Sequence, residues 1–305
     1  MDRLESMSTF VRVVEIGSIS GTADKMTVAK SVVSRRVKEL EEHLGVELFH
    51  RTTRRMNLTD TGRAYYDRCV RILEDVTEAE LATSQQHSEL QGSLKVAMPL
   101  SFGLMHLSPA INDFVKAHPQ IEFDLDFNDR NVDIIQEGFD LAIRIGNLQD
   151  SSLIARRLAP IELVLCASPA YLERMGTPVS PEDLIQHQCL SYGLLPDFES
   201  WQFVDKNDET RRVKVRSILK SNNGEQLRDA ALAGLGVVFQ PSFIVYKEIE
   251  RAELTPLLTQ YRQPALNAYA IYPQTRHLSQ RVRAFVDFLV KRFEGVPYWD
   301  ACLRD

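Results

Sequence analysis

No stretch of this sequence is apolar over the ~18 residues a bilayer-spanning helix needs, so a membrane-embedded chain is not expected. The start, "MDRLESMSTF", mixes acids with bases and lacks the apolar core of an export signal, which points to the cytoplasm. Cysteine is scarce. Cys69, Cys166, Cys189 and Cys302 lie far apart, in no metal-ligand spacing, and read as free thiols or small core residues in a reducing compartment. The 7 histidines are dispersed, with no metal-ligand pair at helical spacing. G-x-S-x-G, H-E-x-x-H and Walker sequences are missing too. "LAGLGVV" is glycine-rich but lacks the spacing of a nucleotide loop, and reads as a helix end followed by a strand. The expectation is therefore no enzyme, no cofactor and no metal. Positive charge is also in deficit, with 36 Lys and Arg against 42 Asp and Glu and a net charge of -6. That disfavours a chain coated by nucleic acid, but not one with a local basic face.

What is present divides in two. The 305 residues allow two or three domains. Residues 1–58 read as helical. Leu4, Met7, Val11 and Val14 recur at spacings of three and four, marking one apolar face. Gly17 ends that helix, and Ser18 is placed to cap "ISGTADKM". After a short turn at Thr27 and Val28 comes a third helix, with Val33, Val37, Leu40 and Leu44 as its buried stripe and Gly45 at its end. "VELFHRTTRRMNLT" then reads as a small hairpin, or wing, with a basic tip. From Thr59 to about Leu90 there is no proline and one glycine. Tyr66, Cys69, Ile72, Val76 and Ala79 suggest a long amphipathic helix whose narrow seam pairs with a second copy.

Beyond the linker Gln91-Gly92-Ser93, strands and helices alternate. "SLKVAM", "IEFDLDF", "DLAIRIG", "IELVLCAS", "LGVVFQ" and "LNAYAIYP" read as strands. "SFGLMHLSPAINDFVKAH", "NVDIIQEG", "GEQLRDAALAG" and Leu278 to Phe293 read as helices. Such alternation implies parallel sheets with helices on both faces. The Pro-richer part, about 167–266, reads as a second lobe inserted between the halves of the first.

The third helix carries its charges in an unusual order. Lys30, Arg35, Arg36 and Lys38 precede Glu39, Glu41 and Glu42, although a helix dipole favours acids first. Two short helices joined by a tight turn form a helix-turn-helix, in which the start of the second helix enters the DNA major groove. An anionic partner there makes the reversed order favourable. Lys30, Ser31, Ser34 and Arg35 lie away from the apolar stripe and can each donate hydrogen bonds. The plain alternative is a solvated helix face. "HRTTRR" adds Arg51, Arg54 and Arg55, placed to reach phosphates or a narrow minor groove. Residues 25–55 hold eight Lys and Arg against four Glu, a basic region in an acidic chain.

"FVRVVEIGSISGTADKM" followed by "SVVSRRVKELEEHLGVELFHRTTRRMNLTDTG" resembles the N-terminal domain of LysR-type transcriptional regulators. "MPLSFG", "EGFDLAIRIG", "LVLCASPAYL", "NNGEQLRDAALAGLGVV" and "VRAFVDFLV" resemble, in order, the effector domain of that family. The resemblance covers nearly the whole chain. It implies an all-α winged helix-turn-helix over 1–58, a dimerising linker helix over 59–90, and an α/β effector domain of periplasmic-binding-protein type over 91–305. The lobes of that domain would be about 91–166 with 267–305, and about 167–266. It further implies double-stranded promoter or operator DNA as partner, a small-molecule effector, and a dimer that assembles into a tetramer, with RNA polymerase as a further candidate partner. Two positions depart from the family pattern: Thr27 stands where Gly is frequent and Ala29 where Ser caps. Ala is a poor cap, by ~1 kcal/mol, so Thr27 or the DNA would have to replace it. Lys30 stands where Gln is frequent, suggesting another base preference.

Effector candidates follow from the cleft between lobes, since α/β ligands sit at strand C-terminal ends. Leu100, Ser101 and Phe102 follow a strand and open a helix. Asn222 and Asn223 open another in the second lobe. Plain N-capping is the alternative at both, but two helix starts facing one cleft favour an acidic ligand. Arg144 alternates with Ile143 and Ile145 in a buried strand and needs a partner, either a core carboxylate or the effector. Asn128 and Asp129 follow the second strand as further candidates. Two rivals remain: a solute-binding protein, opposed by residues 1–90, and an enzyme on the two-lobed fold, for which the sequence offers no catalytic constellation.

Overall fold

The computed structural model describes residues 2–50, 56–83, 90–146, 153–194, 197–262, 266–274 and 278–303. The chain divides into two compact units, Met1–Ser88 and Glu89–Asp305.

The first unit opens with α1 (Arg3–Ile16), α2 (Ile19–Met26) and α3 (Lys30–Leu44). Gly17 closes α1 at φ 75, and the Ser18 side chain accepts from Gly21 N at 3.1 Å to cap α2, both as expected. The apolar face of α1 is centred on Phe10 and Val13, which are fully buried, whereas Leu4 is 44% exposed. Val33, Val37 and Leu40 of α3 complete this core with Leu48 and Phe49. Thr27 caps nothing at the start of α3. It sits at φ 55 as the left-handed C-cap of α2, and Ala29 precedes α3 without a side-chain cap. Phe49 bridges to Leu58 as an antiparallel pair, the base of the expected wing. Thr59 then starts α4 (Asp60–Thr83) by accepting from Gly62 N at 2.9 Å. A Cβ on Gly62 would lie 2.0 Å from the Leu48 carbonyl oxygen, so only glycine lets α4 press against the wing base.

The expected seam of α4 is split. Tyr66 and Cys69, with Tyr65, Val70 and Leu73, cover the core of the first unit. Ile72 is 41% exposed and Val76 half-buried. One helix thus serves its own domain with one stripe and leaves another open.

The second unit holds two mixed five-stranded sheets. The first has the order β2-β1-β3-β12-β4, from β1 (Gly92–Met98), β2 (Ile121–Phe127), β3 (Leu141–Gly146), β4 (Leu153–Ile161) and β12 (Leu266–Pro273). The second has the order β11-β5-β10-β6-β9, from β5 (Leu163–Ala167), β6 (Gln188–Tyr192), β9 (Arg216–Ser221), β10 (Val237–Pro241) and β11 (Thr255–Leu257). A hairpin of β7 (Ser200–Val204) and β8 (Thr210–Lys214) adds to the second lobe.

Parallel pairing holds for β2-β1-β3 and β10-β6-β9. β12 runs antiparallel to β3 and β4, and β5 antiparallel to β10 and β11. The expectation of parallel sheets is corrected there. β4 continues through Glu162 into β5 and crosses between lobes, so residues 163–167 join the second sheet rather than the first. "NVDIIQEG" is a single turn rather than a helix: Asp133 caps it by accepting from Ile135 N and Gln136 N, and Gly138, at φ 69, ends it at once.

Two helix starts face the junction of the lobes. α5 (Leu100–Phe102) passes through a π turn (Gly103–Leu107) into α6 (Ser108–Ala117). In the second lobe α7 (Pro169–Met175) precedes α8 (Gly224–Leu232), α9 (Ser242–Glu250) follows it, and α10 (Gln280–Arg292) returns to the first lobe. One apolar cluster runs through both lobes, from Leu94 and Phe114 to Leu190, Leu227 and Phe243.

Candidate nucleic-acid interface and effector seam

The reversed charges of α3 have a local explanation. Lys30, Ser31 and Arg35 are exposed at the start of the helix, and Ser34 is half-buried. Arg36, also basic, turns inward to pair with Glu5 of α1. The acids serve the fold. Glu41 Oε1 accepts from Leu48 N at 2.8 Å and Phe49 N at 3.2 Å, fastening the wing base to α3. Glu39 lies 3.8 Å from Arg35 and Glu42 3.4 Å from Lys38, exposed pairs of small worth. The second half of α3 is thus neutralised within the domain, while Lys30 and the Arg35 guanidinium stay open to solvent. Arg51, Arg54 and Arg55 lie outside the described residues.

At the seam between the lobes, the expected donors already hold a carboxylate. Ser101, 7% exposed, donates from Oγ to Glu225 Oε2 at 2.5 Å. Asn223 caps α8 by accepting from Gln226 N at 2.8 Å and donates from Nδ2 to the same Glu225 oxygen at 3.0 Å. Leu100 N donates to Asp129 Oδ1 at 3.2 Å, and the Tyr192 hydroxyl also bonds Asp129. Burial holds the Asp129 carboxyl above its usual range and Glu225 adds to this, while the Leu100 and Tyr192 bonds work against it. Burial likewise raises the Tyr192 hydroxyl, with Asp129 beside it.

The other candidates are engaged differently. Phe102 is wholly buried, its ring 5.1 Å from Phe243 and 5.7 Å from Trp299. It is a core residue, because the helix start turns this side chain inward from the seam. Asn128 donates to Asp126 at 2.7 Å and accepts from Arg130 N at 3.1 Å, which spends its amide on its own loop. Arg144 donates to the Val132 carbonyl. Among the described residues no carboxylate pairs with it, so of its two expected partners the core carboxylate is replaced by a backbone acceptor. Asn222 is exposed beside the cap. Glu225, Tyr192 and Gln240 were not singled out from sequence. An acid in a first helical turn reads as an ordinary dipole partner, and nothing marks the other two.

This architecture has close counterparts. Residues 4–63 match the bacterial regulatory helix-turn-helix protein, lysR family, and residues 87–294 match the LysR substrate binding domain. The chain belongs to the LysR family of transcriptional regulators. It is similar to an uncharacterized HTH-type transcriptional regulator of Haemophilus influenzae, 38% identical over 92% of this chain and 98% of the relative. The solved structure of CrgA, a LysR-type regulator from Neisseria meningitidis, is 36% identical with a TM-score of 0.62, over 95% of this chain and 99% of that one. Full-length AphB, described as a Vibrio cholerae virulence activator, is 27% identical with a TM-score of 0.60, over 95% and 99%. As a LysR regulator the chain combines a DNA-binding helix-turn-helix with an effector-binding domain, and it is not an enzyme. Among the described residues no helix is long and apolar enough to cross a membrane.

Proposed function

We propose that this LysR regulator reads a specific double-stranded operator in the cytoplasm through the start of α3 and the wing, and that a small molecule held between the lobes sets its response. One observation carries the DNA reading: α3 begins without a side-chain cap and presents Lys30, Ser31 and Arg35 to solvent, while its acids are engaged within the domain. Uncapped N–H groups and exposed cations at one helix start suit phosphate and base-edge acceptors. Arg51, Arg54 and Arg55, which lie outside the described residues, enter this reading from the sequence alone, as further cations for phosphate. The exposed Ile72 of α4, with the half-buried Val76 one turn on, supports pairing with a second copy, and pairs assembling into tetramers that meet RNA polymerase complete the reading.

An acidic effector was the expectation for the seam. Such a ligand would have to displace Glu225 from Ser101 and Asn223 and settle beside Asp129, an arrangement the charges oppose.

The test is a band shift on the promoter region beside the chain's own gene, over several salt concentrations. Arg35→Ala should weaken binding to all sequences and reduce the salt slope by about one unit, the loss of one phosphate contact. Lys30→Ala should change base preference by ~1–3 kcal/mol at the affected position. Wild-type affinity in both variants would refute the assignment of α3.

A further inference from the structure

Asp129 and Glu225 bring two carboxylates to the seam, one from each lobe. Among the described residues neither forms an ion pair. The basic groups of the surrounding elements are engaged elsewhere. Arg144 bonds the Val132 carbonyl, and Lys95 bonds the Glu137 carbonyl and lies over Phe139. Arg130 pairs with Glu137 and Asp126, Lys220 lies over Phe198, and Arg228 lies by Asp229 and Glu248. Two half-buried negative charges without a counter-ion are costly, and a cation entering between them offsets that cost.

An independent observation marks the same place. Gln240 is 1% exposed, and its Nε2 is buried without a hydrogen-bond partner. Its side-chain oxygen ends 3.1 Å from where a Cβ on Gly224 would lie, and Gly224 stands between Asn223 and Glu225 at the start of α8. The pairing of Val238 with Leu190 on parallel strands puts Gln240 and Tyr192, two residues further along each, on one face at one level. Tyr192 in turn reaches Asp129. An unpartnered amide donor in that position calls for an oxygen acceptor.

We propose that the seam binds a small protonated amine that also carries an oxygen, with the ammonium between Asp129 and Glu225 and the oxygen on the Gln240 amide. This rests on the reading of the interlobe seam as the effector site and names the chemical class of the effector. An ammonium fits better than a metal ion, since among the described residues no three His, Cys, Asp or Glu side chains gather. Charge also gives the ligand a means of regulation. Its contacts come from both lobes, so it favours the arrangement in which Asp129 and Glu225 approach, which their repulsion otherwise opposes.

The test is calorimetry on the full-length protein with three probes of similar size: ethanolamine, neutral ethylene glycol and acidic glycolate. Ethanolamine should bind, and more tightly than the other two. Asp129→Asn and Glu225→Gln should each weaken it about tenfold or more. With ethylamine as a fourth probe, Gln240→Met should remove the preference for ethanolamine over ethylamine while leaving ethylamine binding within about twofold, an outcome that a merely misfolded variant cannot produce. Glycolate binding without ethanolamine binding would overturn the amine and restore an acidic effector at the same seam. Binding of none of the three would overturn the amine as well. A wild-type operator band shift in either case would leave the regulator reading standing, so the two failures are distinguishable.

Discussion

Ser101 Oγ donates to Glu225 Oε2 across 2.5 Å, joining the start of α5 in one lobe to the start of α8 in the other. The contact spans 124 positions of sequence and lets two lobes, linked by crossing strands, act on one another. A double-mutant cycle of Ser101→Ala with Glu225→Ala should show a coupling of roughly 1.5 kcal/mol, the scale of a hydrogen bond to a charged group. Denaturant unfolding followed by tryptophan fluorescence reads it, because Trp201 and Trp299 both lie in this unit. Strict additivity would mean that the bond does not couple the lobes.

Glu41 should prove structural although it lies in the DNA-reading helix. Glu41→Ala leaves the Leu48 and Phe49 amides without their acceptor, at a cost of about 1–3 kcal/mol. Amide exchange at those two residues should accelerate by about tenfold or more, with the fluorescence transition of the other unit unchanged. Unaltered exchange would show that the wing base is held by other contacts.

Gly62→Ala should lower the melting temperature of the first unit. The new methyl would meet the Leu48 carbonyl oxygen at 2.0 Å, and backbone cannot yield as a flexible side chain can. Overpacking of this kind costs about 1–3 kcal/mol. Far-ultraviolet circular dichroism should lose helix at lower temperature, while tryptophan emission keeps its transition.

His106 should make the second unit sensitive to acid. Its Nδ1 accepts from the Tyr298 hydroxyl at 2.5 Å and its Nε2 donates to the Phe243 carbonyl at 3.1 Å. Burial lowers its proton affinity from the ordinary 6.5 to about 4, the Phe243 bond opposing this and Lys247 adding to it. The unfolded chain therefore binds a proton that the folded one refuses. Stability falls as pH drops through 6.5 and stops falling, for this group, below about 4. The shift corresponds to roughly 3 kcal/mol at most. In His106→Asn the fluorescence-detected stability should vary less with pH across this window, and a parallel curve would refute the assignment.

Much of the fold was legible because it rests on local rules. Ser18 and Gly17 mark helix ends through their own side chain and backbone freedom, and the Val33, Val37 and Leu40 stripe identifies the buried face of α3 by spacing alone. The weak start at Ala29 could also be read. The stop after a single turn at Asp133 was missed because Gly138, in the left-handed region at φ 69, ends a segment that periodicity assigns to a longer helix. Leu4 was misplaced because the stripe through Leu4, Met7, Val11 and Val14 runs beside the face that packs, which centres on Phe10 and Val13.

The sequence by itself determined the short helices of the first unit, the alternating strands and helices of the second and the helix starts around Ser101 and Asn223, since each follows from residues within a few positions of one another. Only the tertiary structure decided what those starts hold. Glu225 meets Ser101, Tyr192 meets Asp129, and Gln240 is buried with a spare donor beneath Gly224. Chain spacing carries no information on such meetings, because the strand crossings between lobes bring distant side chains together. The charge of the seam is the sum over those side chains, so two helix starts that locally favour an anion end in a site that already carries two carboxylates.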